Sequence, residues 1–314
     1  MTQRKGLLAV GECMVEMSGG ENDLYRLGFA GDTLNTAWHL RSALTQRGRA
    51  DLAISYHTAL GDDSLSDRII GFLQKSQLGV ETVQRIPGRR PGLYMIEQRN
   101  GDRDFTYWRE TSAARQMADD ADALHAAFAK PEWIYFSGIT LAILSADARA
   151  TFLQALETAR QNGAQIAFDP NLRPRLWQDG PTMCRTVEAA AALADIILPS
   201  FDDEAHHFGD ADPVATCARY RALSPRSEII VKDGPAPLHL ALPDVKPVEI
   251  TVPPVTMVVD ATGAGDGFNA GYIAARLCGL SANEAVQSGI ALSASVLGYH
   301  GAIKPRQDQA MILA

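Results

Sequence analysis

Residues 255–280, VTMVVDATGAGDGFNAGYIAARLCGL, combine a β-branched run, a glycine turn and a helix in a single segment. The apolar run 255–259 predicts a short strand. Gly263 and Gly265 permit a sharp turn in which the backbone can approach a ligand closely. After the turn, apolar residues recur at helical spacing on more than one side, which predicts a helix that is buried on several faces.

A glycine turn at the start of a helix leaves backbone N–H groups free to bind an anion such as phosphate. Asp266 stands in this turn. Because a carboxylate repels a resting phosphate, its place here suggests that it handles a proton. A simple helix cap on a tight turn is the alternative. The Walker motif is excluded because Asp266-Gly267 follows the last glycine, and the dinucleotide fingerprint is excluded because Phe268 stands where it needs glycine.

This segment resembles the C-terminal signature of the ribokinase-like (PfkB) family of sugar kinases. The resemblance implies that Asp266 is the catalytic base and that Gly263, Ala264 and Gly265 form an anion hole for the transferring phosphoryl group. It covers nearly the whole chain and is closest to the kinases of 2-keto-3-deoxygluconate. It implies a three-layer αβα fold with a mostly parallel central sheet, one kinase domain over 1–314, and a small β lid from segments of about 15–30 and 88–110.

Composition limits the class of protein. A chain of 314 residues with 46% hydrophobic content can form one large α/β domain or two ordinary ones. The net charge of −8 argues against nucleic acid or an anionic membrane as a partner, and no apolar stretch is long enough to span a bilayer. The four cysteines show no C-x-x-C pairing, which argues against a disulfide framework and predicts a reducing, cytoplasmic location.

Apolar runs and helical patterns alternate along the chain, which predicts a mostly parallel sheet with helices on both faces. The middle section differs, because residues 92–98 and 104–109 are strand-like and Asn100-Gly101 lies between them, a strong hairpin signal. The predicted strands of the main sheet are 7–10, 52–58, 133–137, 165–168, 196–198, 228–232 and 238–242. The predicted helices begin near residues 33, 65, 145, 182, 202, 213 and 282.

The stretch Ala30-Gly31-Asp32-Thr33-Leu34-Asn35 resembles the family's first signature, which contacts sugar hydroxyls. Gly31 lets a ligand approach the backbone, and Asp32 and Asn35 offer directional polar groups at a helix start. An ordinary N-cap formed by Asp32 or Thr33 is the alternative reading. Many relatives carry a second glycine where this chain has Ala30.

The predicted hairpin contains GLYMIE and FTYWR, which resemble the corresponding segments of keto-deoxygluconate kinases. The resemblance implies that Tyr94, Tyr107 and Arg109 face the substrate. Alternate strand residues share a face, so Phe105, Tyr107 and Arg109 are expected to point together. A guanidinium binds a carboxylate through a planar fork of donors, which a neutral sugar does not need. A solvated arginine on an edge strand is the alternative.

Asp169-Pro170-Asn171-Leu172-Arg173 follows a predicted strand, the usual place for ligands in an open α/β sheet. The resemblance implies that Asn171 lies near the phosphates and Arg173 near both the sugar acid and the γ-phosphate. Lys232 and Gly234 resemble the start of the family's nucleotide loop, although Pro237 replaces that loop's last glycine.

The metal site is less well marked. Many relatives carry an Asn-x-x-Glu motif where this chain has Ser200 and Asp203. The acidic run here could hold Mg²⁺ through waters, and it is equally a good helix start. Ile290 stands where some relatives have an adenine-contacting asparagine, so no base contact is assigned.

The expected reaction is therefore ATP- and Mg²⁺-dependent phosphorylation of an acidic sugar, 2-keto-3-deoxygluconate, at its terminal hydroxyl. Two alternatives stay open: a kinase of the same family for another sugar or sugar acid, and a non-catalytic sugar-binding regulator on the same fold. By analogy with the family, the lid is expected to pair between subunits in a homodimer.

Overall fold

The computed structural model describes residues 6–19, 24–99 and 102–306. Its strands are β1 (Leu7–Val10), β2 (Met14–Gly19), β3 (Tyr25–Ala30), β4 (Ile54–His57), β5 (Ala59–Leu60), β6 (Gln84–Arg85), β7 (Leu93–Arg99), β8 (Asp102–Trp108), β9 (Trp133–Ser137), β10 (Gln165–Asp169), β11 (Ile196–Ile197), β12 (Glu228–Val231), β13 (Leu238–Ala241) and β14 (Val248–Ile250). Its α-helices are α1 (Asp32–Gln46), α2 (Ser64–Lys75), α3 (Ala121–Phe128), α4 (Gly138–Ile143), α5 (Ala146–Gln161), α6 (Gly180–Ala191), α7 (Phe201–Phe208), α8 (Pro213–Leu223), α9 (Ala264–Leu277) and α10 (Ala282–Leu297).

The main sheet has eight strands in the order β14-β13-β12-β11-β10-β9-β1-β4. The six strands from β12 to β4 pair in parallel, and β13 and β14 add an antiparallel edge. The central strands are short apolar runs because parallel strands are covered on both faces and need no polar side. The predicted mostly parallel sheet is confirmed.

Alternate residues of each strand enter two separate cores. Leu8 and Val10 pack under α3, α5, α6 and α8, whereas Leu7 and Ala9 pack under α1, α2, α9 and α10. The fold is therefore three layers, αβα, as expected. Helix α9 is buried on several sides, with every residue from 267 to 275 buried, because both α1 and α10 pack against it.

A second, four-stranded sheet in the order β3-β2-β7-β8 is built from the two segments predicted as the lid, and we call this sheet the lid. Strands β7 and β8 are antiparallel with Tyr94 opposite Tyr107, so the predicted hairpin is confirmed in its strands. Its Asn100-Gly101 turn lies outside the described residues, as do residues 20–23 of the first lid segment. One face of this sheet, with Val15, Phe29 and Leu93, packs on the main core.

Two local predictions were wrong. Residues 255–259 form no strand: they belong to the irregular segment between β14 and α9, and Met257 is 68% exposed. Pro253 and Pro254 precede this run, and proline cannot donate to a sheet ladder. Helix α1 has Gly31 as its N-cap and no capping side chain, so neither Asp32 nor Thr33 caps the helix.

Candidate active site

Asp266 lies in the first turn of α9, where α9 meets the N-terminal turn of α1. Asn35 Nδ2 donates a 2.8 Å hydrogen bond to Asp266 Oδ2, and Thr36 Oγ1 lies 3.4 Å from the Asp266 carbonyl. These contacts join residues more than 200 positions apart. The packing of α1 against α9 therefore brings the first and last sequence signatures into one site at the carboxyl ends of the parallel strands, the usual position in open α/β sheets.

The surroundings of Asp266 raise its pKa to about 8. Removal of the carboxylate from water is the largest cause, and the negative charge of Asp32 adds to it. The hydrogen bond from Asn35 acts in the opposite direction, while Asp169 raises the pKa further and Lys232 lowers it. A carboxylate with a pKa in this range is a far stronger base than an ordinary aspartate and titrates near neutral pH.

The turn before Asp266 has a backbone conformation and a close contact that together favour glycine. Gly263 has φ of 77°, and a Cβ on it would come within 2.8 Å of Ala302 Cα. Asp260 fixes the same turn: it accepts bonds from the Thr262 N–H at 2.9 Å and from the Gly301 N–H at 2.6 Å. The segment around 301–302 therefore supports the turn from behind.

Gly265 is different, because a Cβ there would meet only Lys232 Nζ, at 3.8 Å. Nothing in the described structure requires glycine at this helical position, where it stabilises the helix less than alanine would. The first N–H group that reaches a carbonyl four residues back is that of Gly267, which bonds to Gly263 at 2.8 Å. The N–H groups of Gly265 and Asp266 precede it and lack such an acceptor, so the turn offers donors beside open space.

Lys232, Asn269 and Asp169 form a polar network behind the turn. Lys232 Nζ donates to Asn269 Oδ1 at 3.1 Å and lies 3.5 Å from Asp169 Oδ2, and Asn269 Nδ2 donates to the same Asp169 oxygen at 2.6 Å. Lys232 was expected at the site from its sequence motif, whereas Asn269 and Asp169 were not. Asn269 was detectable as a polar residue in an otherwise apolar stretch of helix, and it is completely buried.

The segment after β10 lies against the start of α1. Asn171 has φ of 35° and donates from Nδ2 to Asp32 Oδ2 at 2.8 Å. Arg173 is half exposed: its guanidinium donates to the Leu172 carbonyl at 2.5 Å and stands 3.5 Å from Asp203 Oδ2. Burial raises the pKa of Asp203, and the charge of Arg173 opposes that rise. Gly234 has φ of 54° with open space around it.

Two carboxylates, Glu16 and Glu12, pair with Tyr94 and Arg109 of the lid segments, and neither carboxylate was predicted from the sequence. Tyr94 donates a short hydrogen bond to Glu16, and its ring lies 5.7 Å from that of Tyr107. Arg109 follows the end of β8 and forms a buried ion pair with Glu12. The available signal was the pair of acids within the apolar run GECMVEM.

The Glu12–Arg109 pair leaves polar atoms without partners. Glu12 Oε1 and Arg109 Nε are both buried and make no hydrogen bond. Phe105 and Tyr107 lie on the same face of β8, as expected, and their stacked rings have centroids 6.3 Å apart. Arg109 instead turns into the protein, toward Glu12 at the end of β1, and Gly31 packs against the backbone of the same Glu12.

Three further features concern groups that could hold a metal ion, the cysteine thiols and helices that could cross a membrane. Within residues 6–19, 24–99 and 102–306, no group of three or more His, Cys, Asp or Glu side chains is arranged to hold a metal ion. All four cysteines are free thiols. No helix in the described part of the chain combines the length and apolar character needed to cross a membrane.

Comparison with known proteins gives a consistent result over the full length. The family described as pfkB family carbohydrate kinase matches residues 5–309. The 2-dehydro-3-deoxygluconokinase of Dickeya dadantii (strain 3937) is 37% identical over 306 residues, which is 96% of this chain and 97% of that protein. The protein of the same name from Escherichia coli (strain K12) is 36% identical over 311 residues, covering 96% and 98%.

A solved structure agrees in fold. The structure of a putative ribokinase II from E. coli in complex with ATP and Mg²⁺ superposes with a TM-score of 0.81 at 21% identity, covering 96% of each chain. The predicted ribokinase-like fold is confirmed. With a family match over almost the entire sequence, this chain belongs to the pfkB family of carbohydrate kinases.

Proposed function

We propose that the protein transfers the γ-phosphoryl group of ATP to the terminal hydroxyl of 2-keto-3-deoxy-D-gluconate and forms the 6-phosphate, within a single kinase domain. The observation that carries the proposal is the Asp266 carboxylate, with its raised pKa, beside the open glycine turn of α9. Two relatives that this chain matches over nearly their whole lengths bear the name of this kinase.

Asp266 acts as the general base in this proposal. The ionised carboxylate accepts the proton of the attacking hydroxyl, and Asn35 holds it in place through the 2.8 Å bond. A positioned base contributes typically about 10²–10⁴-fold in rate. The enclosed surroundings that raise its pKa also increase its affinity for that proton.

The phosphoryl group is stabilised by backbone donors. In this proposal the N–H groups of the turn at Gly263, Ala264 and Gly265 bind the phosphoryl oxygens at the positive end of the helix dipole. The Ala264 N–H, which donates to the Ala261 carbonyl at 3.2 Å, exchanges that bond for the phosphoryl group. Arg173 is half exposed beside Asp203, and in this proposal its guanidinium turns to the transferring group as charge builds on the phosphoryl oxygens. Lys232 and Gly234, with Asn171, complete the proposed nucleotide side.

The sugar acid would occupy the space between α1 and the lid. Gly31, Asp32 and Asn35 contact its hydroxyls, while Tyr94 and Tyr107 cover it from the lid. Arg109 binds the carboxylate of the substrate. Its Nε has no hydrogen-bond partner, and the ion pair with Glu12 holds the guanidinium in position. The guanidinium can therefore donate to a second carboxylate without moving.

Mg²⁺ fits this site through phosphate and water rather than through a set of protein carboxylates. Asp169 is engaged with Asn269 and Lys232, and Asp203 with Arg173, so neither is a free ligand within the described residues. Mg²⁺ usually keeps several waters, and Asp203 would hold one of them. When bound with ATP, the ion neutralises the developing charge on the phosphates. A structural neighbour in this fold carries ATP and Mg²⁺.

The first experiment combines a substrate panel with a base variant. A coupled assay with ATP, Mg²⁺ and 2-keto-3-deoxygluconate, gluconate, ribose or fructose is expected to give the highest kcat/KM for the keto-deoxy acid. Asp266→Asn should lower kcat by about 10²–10⁴-fold while sugar and ATP binding remain measurable by calorimetry. Near-normal turnover of this variant would remove Asp266 from the role of base. Preference for a neutral sugar would favour the alternative substrate class.

The second experiment tests the carboxylate site. Removal of Arg109 alone leaves Glu12 buried and unpaired, so the double variant Glu12→Gln/Arg109→Ala is used, with Glu12→Gln as its matched control. The double variant should bind the keto-deoxy acid about 1.5–3 kcal/mol more weakly than the control, with ATP affinity unchanged. Equal sugar affinity in both proteins would show that Arg109 does not bind the acid group.

We also propose that the protein acts in the cytoplasm as a homodimer paired through its lids. Four free thiols, two of them buried, fit a reducing compartment. The edge strand β8 leaves Phe105, Tyr107 and Trp108 exposed, and an uncovered aromatic edge is typical of an interface between chains.

A further inference from the structure

A half-open cavity of about 800 Å³ lies on the opposite layer from α5 and α6, between α1 and α10, with Gly271 of α9 at its floor. The C-terminal segment 299–306 closes one side. Its volume is within the range that holds small metabolites. It is separate from the proposed active site, because it includes none of the residues assigned to sugar or ATP, and its lining residues on α1 begin with His39, about one helical turn beyond Asn35.

The cavity is cationic in a chain whose net charge is −8. Arg47, Lys304 and Arg306 contribute to its lining, and none of the described lining residues is Asp or Glu. Arg47 Nη2 donates to Ser288 Oγ and Lys304 Nζ to Ser295 Oγ, both at 2.6 Å. Both cations therefore rest on neutral hydroxyls of α10, and neither forms an ion pair within the described part of the chain. A concave site lined by one sign of charge concentrates ions of the opposite sign.

The positions of these two cations define the ligand they suit. Ser288 and Ser295 are seven residues apart on α10, which is two helical turns or about 10 Å. The space between them is lined by neutral groups, among them Gln287, Ala291 and Leu292. We propose that this cavity is a second ligand site for a small anion that carries an acidic group at each end of an extended chain of about six carbons. The phosphorylated product of the proposed reaction belongs to this chemical class.

The walls of the cavity connect it to the proposed active site. His39 Nε2 bonds to the Ala302 carbonyl at 2.8 Å, and burial lowers the pKa of this imidazole to about 4, so it contacts the segment as a neutral group. Ala302 packs behind Gly263, and the neighbouring Gly301 N–H is bound by Asp260. A ligand held by Lys304 therefore contacts the same short segment that supports the anion-binding turn.

The test measures binding to the full chain by calorimetry, with 6-phosphogluconate as the two-ended probe and glucose 6-phosphate and gluconate as one-ended probes. A saturating non-hydrolysable ATP analogue and 2-keto-3-deoxygluconate are present to occupy the active site. The two-ended probe should bind at least about 10-fold more tightly than either one-ended probe. Arg47→Ala and Lys304→Ala should each weaken it about 10-fold or more, because each removes a charged hydrogen bond.

The controls separate this site from the active site and from general charge. Lys130→Ala removes an exposed cation beside α3, on the other layer, and should leave binding unchanged. Turnover of the Arg47 and Lys304 variants without the probe should stay within about twofold of wild type, and their melting temperatures report folding. Loss of binding in Glu12→Gln/Arg109→Ala with retention in Arg47→Ala would place the probe in the active site and overturn the proposal, as would equal losses in all three cation variants.

Discussion

At the scale of single residues, the site is defined by how Asp266 is surrounded. Two other carboxylates, Asp32 and Asp169, raise its pKa together with burial, while Asn35 and Lys232 oppose them. The other two acids are also hydrogen-bonded, Asp32 by Asn171 and Asp169 by Asn269, and Lys232 lies 3.5 Å from Asp169. Burial and two acidic neighbours thus raise the pKa of Asp266 to about 8, a kind of shift that is frequent in catalytic acids and bases.

The pH dependence follows from this arrangement. The proposed base, Asp266, can accept a proton only when it is ionised, so kcat/KM of the wild type should fall as pH decreases below its pKa of about 8. Asp32→Asn removes a negative neighbour that raises this pKa, so the acidic limb of the profile should move to lower pH. The measurement is kcat/KM against pH for both proteins, each normalised to its own plateau. An unmoved limb would mean that another group controls it.

The site residues that could be predicted from the sequence are those whose proposed role follows from their immediate neighbours in the chain. Asp266, Gly263 and Gly265 are close in sequence, and their chemistry can be read from one turn. Glu12 and Asn269 were missed because each acts on a partner about 100 positions away, Arg109 and Asp169 respectively. No local spacing encodes such a contact. The sole indication was a polar residue within an apolar stretch.

At the scale of elements, the two glycines at the start of α9 have different physical roles. Gly263 is required by the fold, through its positive φ and its contact with Ala302, whereas Gly265 is unconstrained by the described protein atoms. The difference makes them a matched pair for separating stability from catalysis, because both substitutions add one methyl group to the same turn.

Gly263→Ala should destabilise the protein by about 1 kcal/mol or more, because alanine is strained at this φ and its Cβ meets Ala302. Gly265→Ala should leave stability unchanged or raise it by up to about 1 kcal/mol, yet reduce kcat, since the methyl group enters the proposed phosphate space. Urea unfolding and steady-state kinetics on both variants provide the comparison. Full activity in a stable Gly265→Ala protein would argue against the anion hole.

Helices and strands were predicted most accurately where the hydrophobic pattern of the sequence was strongest. Strand β9 was predicted at its observed bounds, and helices α5 and α10 begin within one residue of their predicted starts at 145 and 282. The run 255–259 has strand-like composition, but no neighbouring strand pairs with it. Composition indicates that a segment can adopt an extended strand. A strand forms only where a neighbouring strand is free to pair with it.

At the scale of the whole molecule, the lid joins the main layers by one face and leaves its outer strand uncovered. Trp108 is 52% exposed on β8, and Tyr107 is 45% exposed. The aromatic edge is directly beside the strand that carries Tyr94. Pairing of two lids would therefore cover apolar surface and restrain the strands that we propose to cover the sugar.

The proposed dimer gives a prediction for Trp108→Lys. A charge at the centre of the interface should shift the wild-type dimer toward monomer in sedimentation experiments, because the charge is desolvated on association. Val214→Lys, at an exposed apolar position at the start of α8, is the matched control and should stay dimeric. A monomeric wild type, or equal behaviour of the two variants, would contradict pairing through the lid.

The hydrogen bond between Asn35 and Asp266 spans 231 positions of the chain. During translation, α1 leaves the ribosome long before the glycine turn and its supporting residue Ala302 have been made. A nascent chain therefore has the proposed sugar-side groups of α1 while it still lacks the proposed base and phosphate donors. The proposed site can assemble only after the ribosome has passed Ala302, which packs behind Gly263.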